Sequence, residues 1–268
     1  MKTLKRFFVI VDLQTLAVTL LGVLGTFLCM RFGIRAEIPT SLVGIAVVFP
    51  IVFSISAAYT RREEALKYLA SMKAQLMNIY YSHRDWVPPE NSEDGAEADR
   101  AREIIHTLLQ QVRDFFIEGP EESDRDPHDI YNSISQLSRS VEDIRDKGAP
   151  NLSRTGQSIR NVVRDFEKMR NILEYRTPNS LRAYSSLFLN SFPVLFAPYL
   201  AFLGHDFHPS LGYFVAVFYS IVLVSLDNIQ DDLENPFDRV GTDDLNVDVA
   251  DEMKDAMFPV ETHSTDSK

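Results

Sequence analysis

The chain has 268 residues, of which 45% are hydrophobic and 24% are charged, and its formal net charge is -11. Because no basic cluster offsets the negative charge, the sequence argues against a nucleic-acid-binding protein. The composition resembles that of an average soluble protein, but charges concentrate between Arg61 and Arg182 and after Asp227, whereas apolar residues concentrate in four runs. The sequence therefore predicts a membrane protein with a large polar portion.

The first two apolar runs predict a transmembrane hairpin over residues 1–60. The run at about residues 7–30 follows a basic N-terminus and is too long for the hydrophobic segment of a typical signal peptide. The run at about residues 42–59 is uncharged for about 18 residues. At ~1.5 Å per residue such a helix spans roughly 27 Å, close to the ~30 Å hydrocarbon thickness of a bilayer.

The last two apolar runs, at about residues 184–203 and 211–226, predict a second transmembrane hairpin over residues 184–228. Pro193 and Pro198 within the third run predict a bent helix. Four spans place both termini on one side of the membrane, and basic residues flank that side more often than the other. By the positive-inside rule, we expect the termini and the segment between the hairpins to be cytoplasmic.

Residues 61–183 are predicted to form a cytosolic helical region, because three apolar stripes recur there at helical spacing. The stripes consist of Ile104, Ile105, Leu108, Leu109, Val112, Phe115 and Phe116, then Ile130, Ile134, Leu137, Val141 and Ile144, then Ile159, Val162, Val163, Phe166, Met169, Ile172 and Leu173. Such stripes predict helices that pack against one another rather than a binding groove. Residues 229–268 are predicted to form a cytosolic acidic turn and a tail that is mobile after Asp248.

The sequence contains no catalytic signature, which argues against an enzyme. The phosphate-binding loop, the serine-nucleophile elbow and the zinc-protease motif are all missing. Cys29 has no second cysteine to pair with, and a small buried apolar residue is its simplest interpretation. His205, Asp206 and His208 share the loop between the third and fourth runs at a spacing that could bind a metal, but an ordinary polar loop is the favoured interpretation.

The local motif that offers candidate ligands follows the fourth run, from Asp227 to Asp248. Asn235-Pro236 and Gly241 mark turns, and acidic residues stand on both sides of them. Since Ca²⁺ takes roughly six to eight oxygen ligands, acidic and amide oxygens on a bent backbone could hold it. The spacing is not that of an EF-hand, and a solvated negative turn is the slightly favoured alternative. Because the fourth run is short, its Asp227 end is predicted to be buried in protein rather than in lipid.

Three segments together resemble the bestrophin channel family. SAAYTRREEA follows the second apolar run, ILEYRTPNSLRAY precedes the third, and DDLENPFDRVGTDDLNVD follows the fourth. The order of the three segments is more specific than any one of them, and the N-P-F element is the most specific single match. The resemblance implies an all-α membrane protein with four transmembrane helices and a helical cytosolic region, assembled as a homopentamer around a central ion pathway.

The resemblance also implies a pore neck. Aligning Tyr59 and Arg61 on the family's Y-x-R motif places Ile45, Phe49 and Phe53 on its three hydrophobic neck positions. The same three residues recur at i, i+4 and i+8, so they share one face of a helix. The second transmembrane helix is therefore expected to line the pathway.

In the acidic turn, the resemblance implies a calcium-binding or gating site. Asn235 matches the asparagine of the family's calcium clasp, and Asp232 falls where an amide or acid ligand occurs. Asp243 and Asp244 supply further acids, but they follow N-P-F at a greater distance than the family's acids do. Ca²⁺ is thus a candidate ligand, and no other cofactor is expected.

The leading functional hypothesis is a multi-pass channel that passes chloride or other monovalent anions. Ser54 and Ile55 replace the polar or basic residues that often follow the neck phenylalanine in the family, which leaves a cation-selective channel on the same fold as an alternative. A second alternative is a non-conducting membrane scaffold or sensor that binds a partner through its helical cytosolic region. The expected partners are further copies of the chain, membrane lipid and monovalent ions.

Overall fold

The computed structural model describes residues 13–37, 40–88, 95–117, 126–150, 152–175, 179–206, 208–239 and 244–258, with the backbone alone for 40–50, 179–185, 188 and 209. Within these ranges the chain forms nine α-helices and no β-strand. They are α1 (Leu13–Phe32), α2 (Thr40–Asp85), α3 (Ala96–Ile117), α4 (His128–Asp146), α5 (Ser153–Glu174), α6 (Asn179–Leu195), α7 (Ala197–Asp206), α8 (Pro209–Glu234) and α9 (Ala250–Ala256).

The chain divides into two compact units that alternate along the sequence. The apolar unit comprises Met1–Arg61 and Arg176–Asn235, and the polar unit comprises Arg62–Tyr175 and Pro236–Lys268. Helix α2 contributes its N-terminal part to the apolar unit and its C-terminal part to the polar unit.

In the apolar unit, helix α1 buries small and polar residues and exposes large apolar ones. Its buried residues are Thr15, Val18, Gly22 and Thr26. Its exposed residues include Leu13, Leu16, Leu20, Leu21, Leu24, Phe27, Leu28 and Phe32. A Cβ on Gly22 would lie 2.9 Å from the Cβ of Pro193, and one on Gly25 would lie 3.2 Å from the Cβ of Ala197. The small residues of α1 therefore let α6 and α7 approach its backbone closely.

The third apolar run bends as its prolines predict, and it does so by dividing into α6 and α7 at Phe196. Pro193 lies inside α6, and Pro198 lies in the first turn of α7. Because proline has no N–H group, Pro193 removes a hydrogen bond inside α6, whereas Pro198 lies in a first turn, where N–H groups have no intrahelical partner. The Phe196 N–H still donates to the Phe192 carbonyl over 2.9 Å, and the Leu200 N–H donates to the Phe196 carbonyl over 3.0 Å, so the backbone remains hydrogen-bonded through the break.

In the polar unit, the three predicted stripes pack into one core with the C-terminal part of α2, which confirms the packing expected from their spacing. Helix α2 contributes Ala65, Leu69, Met72, Leu76, Ile79 and Tyr80 to this core. Phe166 is fully buried, and its ring makes edge contacts with the rings of Phe115, Phe116 and Tyr131. The polar unit thus has the apolar interior of a water-soluble helical domain.

The segment from Asp244 to Phe258, called here the strap, packs on the polar unit, so the predicted mobility after Asp248 is wrong as far as Phe258. Its buried residues are Leu245, Val247, Val249, Ala250, Met253 and Met257. The Tyr80 hydroxyl donates to the Phe258 carbonyl over 2.6 Å, and Arg102 Nε donates to the Lys254 carbonyl over 3.0 Å. The strap is held because it buries apolar side chains at close intervals despite its many acids.

Candidate functional site

The predicted neck belongs to the N-terminal part of α2, where the apolar unit covers one face of the helix. Ile51, Ser54 and Ala58 are at most 3% exposed, and their i, i+3, i+7 spacing places them on one face. Val52 and Phe53 lie outside that face and are 57% and 58% exposed. The Phe53 side chain therefore points away from the helices that pack against α2.

The buried face of α2 is held by the other helices of the apolar unit. Ile51 belongs to a cluster with Leu189 and Phe192 of α6, Phe196 at the helix break, and Leu223 of α8. The rings of Phe192 and Phe196 stack with their centroids 4.1 Å apart. This packing fixes the rotation of α2 about its axis, and with it the direction of Phe53.

Of the three predicted neck residues, Phe53 is the one whose side chain the structure describes. Ile45 and Phe49 lie within the helical backbone of α2, but their side chains fall outside the described part. Helical spacing places their positions on the same side of α2 as Phe53, one and two turns closer to its N-terminus. The neck assignment stays a prediction.

The three described residues of the predicted acidic site belong to two different units of the chain. Asp232 is exposed near the end of α8, and Asn235 is the C-cap of that helix with an extended backbone, φ -117° and ψ 94°. Both belong to the apolar unit, whereas Asp244 belongs to the polar unit and Asp243 lies outside the described residues. Among the residues that the structure describes, no three or more His, Cys, Asp or Glu side chains are grouped closely enough to hold a metal ion. Calcium binding therefore stays a prediction.

After N-P-F, the chain turns at Arg239, whose φ of 61° lies in the left-handed region. The Arg239 guanidinium lies 3.6 Å from one carboxylate oxygen of Asp248, and that of Arg113 lies 3.8 Å from the other. Asp248, the last acid of the motif, thus forms ion pairs within the polar unit.

The C-terminal part of α8 buries a row of polar side chains that the sequence predicted only in part. Asp227 is 4% exposed, which confirms that this end of the fourth run is buried in protein. Gln230 and Glu234 continue the row at i+3 and i+7 and are also buried. The oxygen of Gln230 has no hydrogen-bond partner among the described residues. The i, i+3, i+7 spacing was the available signal, but the surrounding acids suggested a solvated turn instead.

His205, Asp206 and His208, near the α7–α8 connection, make contacts with residues close to them in the chain. His205 Nδ1 lies 3.1 Å from a carboxylate oxygen of Asp206. His208 is the N-cap of α8, where its Nδ1 accepts from the Ser210 N–H over 3.3 Å. The favoured interpretation, an ordinary polar connection, agrees with these contacts.

Two helices in the described part of the chain are long and apolar enough to cross a membrane. They are Leu13–Phe32 and Ser210–Glu234. These correspond to the first and fourth predicted spans, and the total of four spans stays a prediction.

Comparisons with known proteins identify the fold. No protein-family model matches the chain, and neither does any curated protein sequence. The structure of a bacterial bestrophin homologue from Klebsiella pneumoniae has a TM-score of 0.70 at 18% identity, with 91% of this chain and 96% of that chain covered. A structure described as a membrane protein has a TM-score of 0.74 at 16% identity, with 92% of this chain and 97% of that chain covered. The chain therefore has an all-α, bestrophin-like fold, as the motifs predicted.

Proposed function

We propose that the chain is a multi-pass membrane ion channel that passes chloride or other monovalent anions through a central pore with a hydrophobic neck. The observation that carries this proposal is the exposure of Phe53 on the face of α2 that the apolar unit leaves uncovered. A bestrophin-like fold over nearly the whole chain supports it.

The packing of the apolar unit supports its location in a membrane. Large apolar side chains face outward on α1, and Phe214, Phe218 and Val222 do so on α8. In water this arrangement would expose apolar surface at an unfavourable free energy, whereas lipid tails solvate it. By the distribution of basic residues in the sequence, both termini would lie in the cytoplasm.

The proposed pore requires several copies of the chain. A chain with four spans and one pore-lining helix can hardly enclose a conduit alone, so a symmetric homo-oligomer is physically reasonable. The resemblance of the motifs to bestrophins supports a pentamer. Native mass spectrometry in detergent should give a mass near five times the 30.5 kDa of one chain. A predominant monomer would contradict the assembly.

Five copies of Ile45, Phe49 and Phe53 around one axis would form an apolar constriction that excludes water. A bare ion in such a constriction would lose hydration worth tens of kcal/mol in the limiting case, so conduction requires the neck to widen. We propose Asp232, Asn235, Asp243 and Asp244 as a calcium-binding or gating turn. A bound ion would bias the neck only through different affinities for its narrow and wide states.

Replacing the neck phenylalanine tests this mechanism. Phe53→Ala should raise the open probability or the leak current in planar bilayers several-fold, because it removes an apolar ring from the constriction. Val52→Ala is the matched control, since Val52 is as exposed as Phe53 but lies about 100° away around the helix. Equal currents in wild type and Phe53→Ala would refute the neck assignment.

Two alternatives stay open. Ser54 is buried and Ile55 is half-buried, so neither lies beside Phe53 on the uncovered face of α2, and a cation-selective channel on the same fold is compatible with this geometry. A non-conducting scaffold would use the groove of about 450 Å³ between α4 and α5, which Ser138, Glu142 and Arg145 help to line. A stoichiometric partner in a detergent pull-down, together with no ion flux, would favour the scaffold.

A further inference from the structure

The polar unit contains a buried histidine, His83, in the last turn of α2. Its side chain is 2% exposed and lies where α2 packs against α4. Nδ1 lies 2.9 Å from the carbonyl oxygen of Ile79, and Nε2 lies 3.0 Å from the hydroxyl oxygen of Ser140. The Ser140 hydroxyl in turn lies 2.8 Å from the carbonyl oxygen of Leu137, to which it can donate. Each ring nitrogen thus has one protein partner.

The hydrogens of this chain of contacts can be assigned from donor and acceptor chemistry. A carbonyl oxygen accepts only, so Nδ1 carries a hydrogen and donates to Ile79. In the neutral ring Nε2 is then an acceptor, and the Ser140 hydroxyl must donate to it. In the protonated ring Nε2–H donates to Ser140, whose hydroxyl is released to donate to Leu137. Both protonation states therefore satisfy both ring nitrogens. They differ in the direction of the Nε2–Ser140 hydrogen bond and in whether the Ser140 hydroxyl donates to the Leu137 carbonyl.

Charged groups from several helices act on the ring. Glu97 of α3 is 8% exposed and is ion-paired with Lys147, while Asp143 of α4 pairs with Arg100 over 3.0 Å. On α2 itself, Arg84 and Asp85 follow His83 in the chain and form an ion pair with each other. Helix α5 contributes the uncharged Thr155, whose hydroxyl donates to that of Ser82.

The pKa of His83 reflects a balance between burial and these groups. Burial lowers the pKa below its ordinary value, whereas the contacts with Ile79 and Ser140 and the charges of Glu97 and Asp143 raise it. Burial is the largest effect, so the pKa lies below 6.5. The ring is therefore neutral at pH 7.5, and it takes up a proton only in more acidic solution.

We propose that His83 is a proton-binding site of the polar unit. In acidic solution Nε2 takes up a proton from water and the Ser140 hydroxyl turns from Nε2 to the Leu137 carbonyl. A cation is thereby placed where the negative charges of Glu97 and Asp143 act on it. The site lies within one unit and does not depend on ion conduction, so flux through a pore is not needed to test it.

The expected effect on stability follows from the pKa difference. The unfolded chain takes up a proton at His83 near pH 6.5, and the folded chain does so only at lower pH. The contribution of His83 to the free energy of unfolding is therefore fully present above pH 6.5 and is lost as the pH falls toward the folded pKa. His83→Gln should lose less stability than wild type between pH 7.5 and pH 5.

Trp86 offers a direct reporter, since it is the one tryptophan of the sequence and lies three residues after His83. Its side chain packs against the cluster of Val87, Ile144 and Ala149. Because a protonated imidazole quenches nearby indole fluorescence, the Trp86 emission of the full-length protein in detergent should titrate with a midpoint below pH 6.5. His83→Gln should abolish this transition.

Two further variants keep the test decisive if His83→Gln does not fold. Ser140→Ala removes this partner from both protonation states and should lower the midpoint, because a hydrogen bond from the charged ring is stronger than one to the neutral ring. Asp143→Asn removes an exposed carboxylate and should lower it by less. His106→Gln is the matched control, because His106 pairs with Asp251 of the strap and not with this junction. A transition that persists in His83→Gln, or that Ser140→Ala leaves unmoved, would overturn the proposal.

Discussion

The two units of this chain differ in which side chains their helices bury and which they expose. In the polar unit, large apolar side chains such as Phe166 and Leu137 are buried, whereas most of the described charged side chains are not. In the apolar unit, the interior of α1 consists of Thr15, Val18, Gly22 and Thr26, while leucines and phenylalanines face outward. An apolar residue therefore indicates the core in the polar unit, whereas in the apolar unit it lies either on the outer surface, as on α1, or in a buried cluster, as Ile51 and Phe192 do. The solvent around each unit decides whether its outer surface can be apolar.

Truncating one phenylalanine in each unit should give the largest difference in stability between the two units. Phe166→Ala should cost about 3–5 kcal/mol of unfolding free energy, because it opens a cavity among Phe115, Phe116 and Tyr131. Phe214→Ala should cost far less, since that ring is 67% exposed. Denaturant midpoints in detergent would compare the two variants. Equal losses would contradict the outward orientation of apolar residues in the apolar unit.

Adding a methyl group to one glycine in each unit should change the free energy of unfolding by less. The change should have opposite signs in the two units. A Cβ on Gly212 would lie 2.4 Å from the backbone oxygen of Leu200, so Gly212→Ala should destabilise the apolar unit by about 1–3 kcal/mol. Gly156 in helix α5 has no atom within 4 Å of such a Cβ. Gly156→Ala should therefore stabilise the polar unit by about 0.5–1 kcal/mol through its higher helix propensity.

Thermal melting of both variants against wild type measures these signs. If Gly212→Ala melted at or above the wild-type temperature, the close contact between α7 and α8 would not be required. If Gly156→Ala melted lower than wild type, α5 would be constrained by a contact that the described residues do not contain.

The smallest effect concerns the strap. Tyr80→Phe removes the hydroxyl that donates to the Phe258 carbonyl and should cost about 1 kcal/mol. Because the lost bond lies at the end of the strap, hydrogen exchange should accelerate around Met257 and Phe258 before it does in the helices. Tyr81→Phe is the matched control, since that tyrosine is partly exposed and lies next in the chain. Unchanged exchange in Tyr80→Phe would show that this hydrogen bond does not hold the end of the strap.

Apolar periodicity predicted most of the fold, because a helix with a single apolar stripe must turn that stripe toward its neighbours to remove it from water. The stripes of α3, α4 and α5 pack as their spacing indicates, and the prolines of the third run mark the bend at Phe196. The strap was missed because its acids and the Ser/Thr-rich end of the chain suggested a solvated tail, although Val249, Met253 and Met257 recur at i, i+4 and i+8. Local composition was the weaker signal there.

The candidate site was less predictable for two physical reasons. The exposure of Phe53 depends on which face of α2 the other helices cover, and an apolar run with little polar alternation does not specify that face. His83 carried no sequence signal, because Ser140 and Glu97 come from two other helices that only the fold brings to it. Asp232, Asn235 and Asp244 are described, but they lie in different units.

The most direct test of the proposed channel is ion flux from liposomes that contain the purified protein. Chloride and potassium gradients should be applied in turn, each with and without Ca²⁺. The proposal predicts flux that is larger for the chloride gradient, that rises in Phe53→Ala and that is unchanged in Val52→Ala. The absence of flux for either ion, from a preparation shown to be a folded pentamer, would contradict the channel and favour the scaffold.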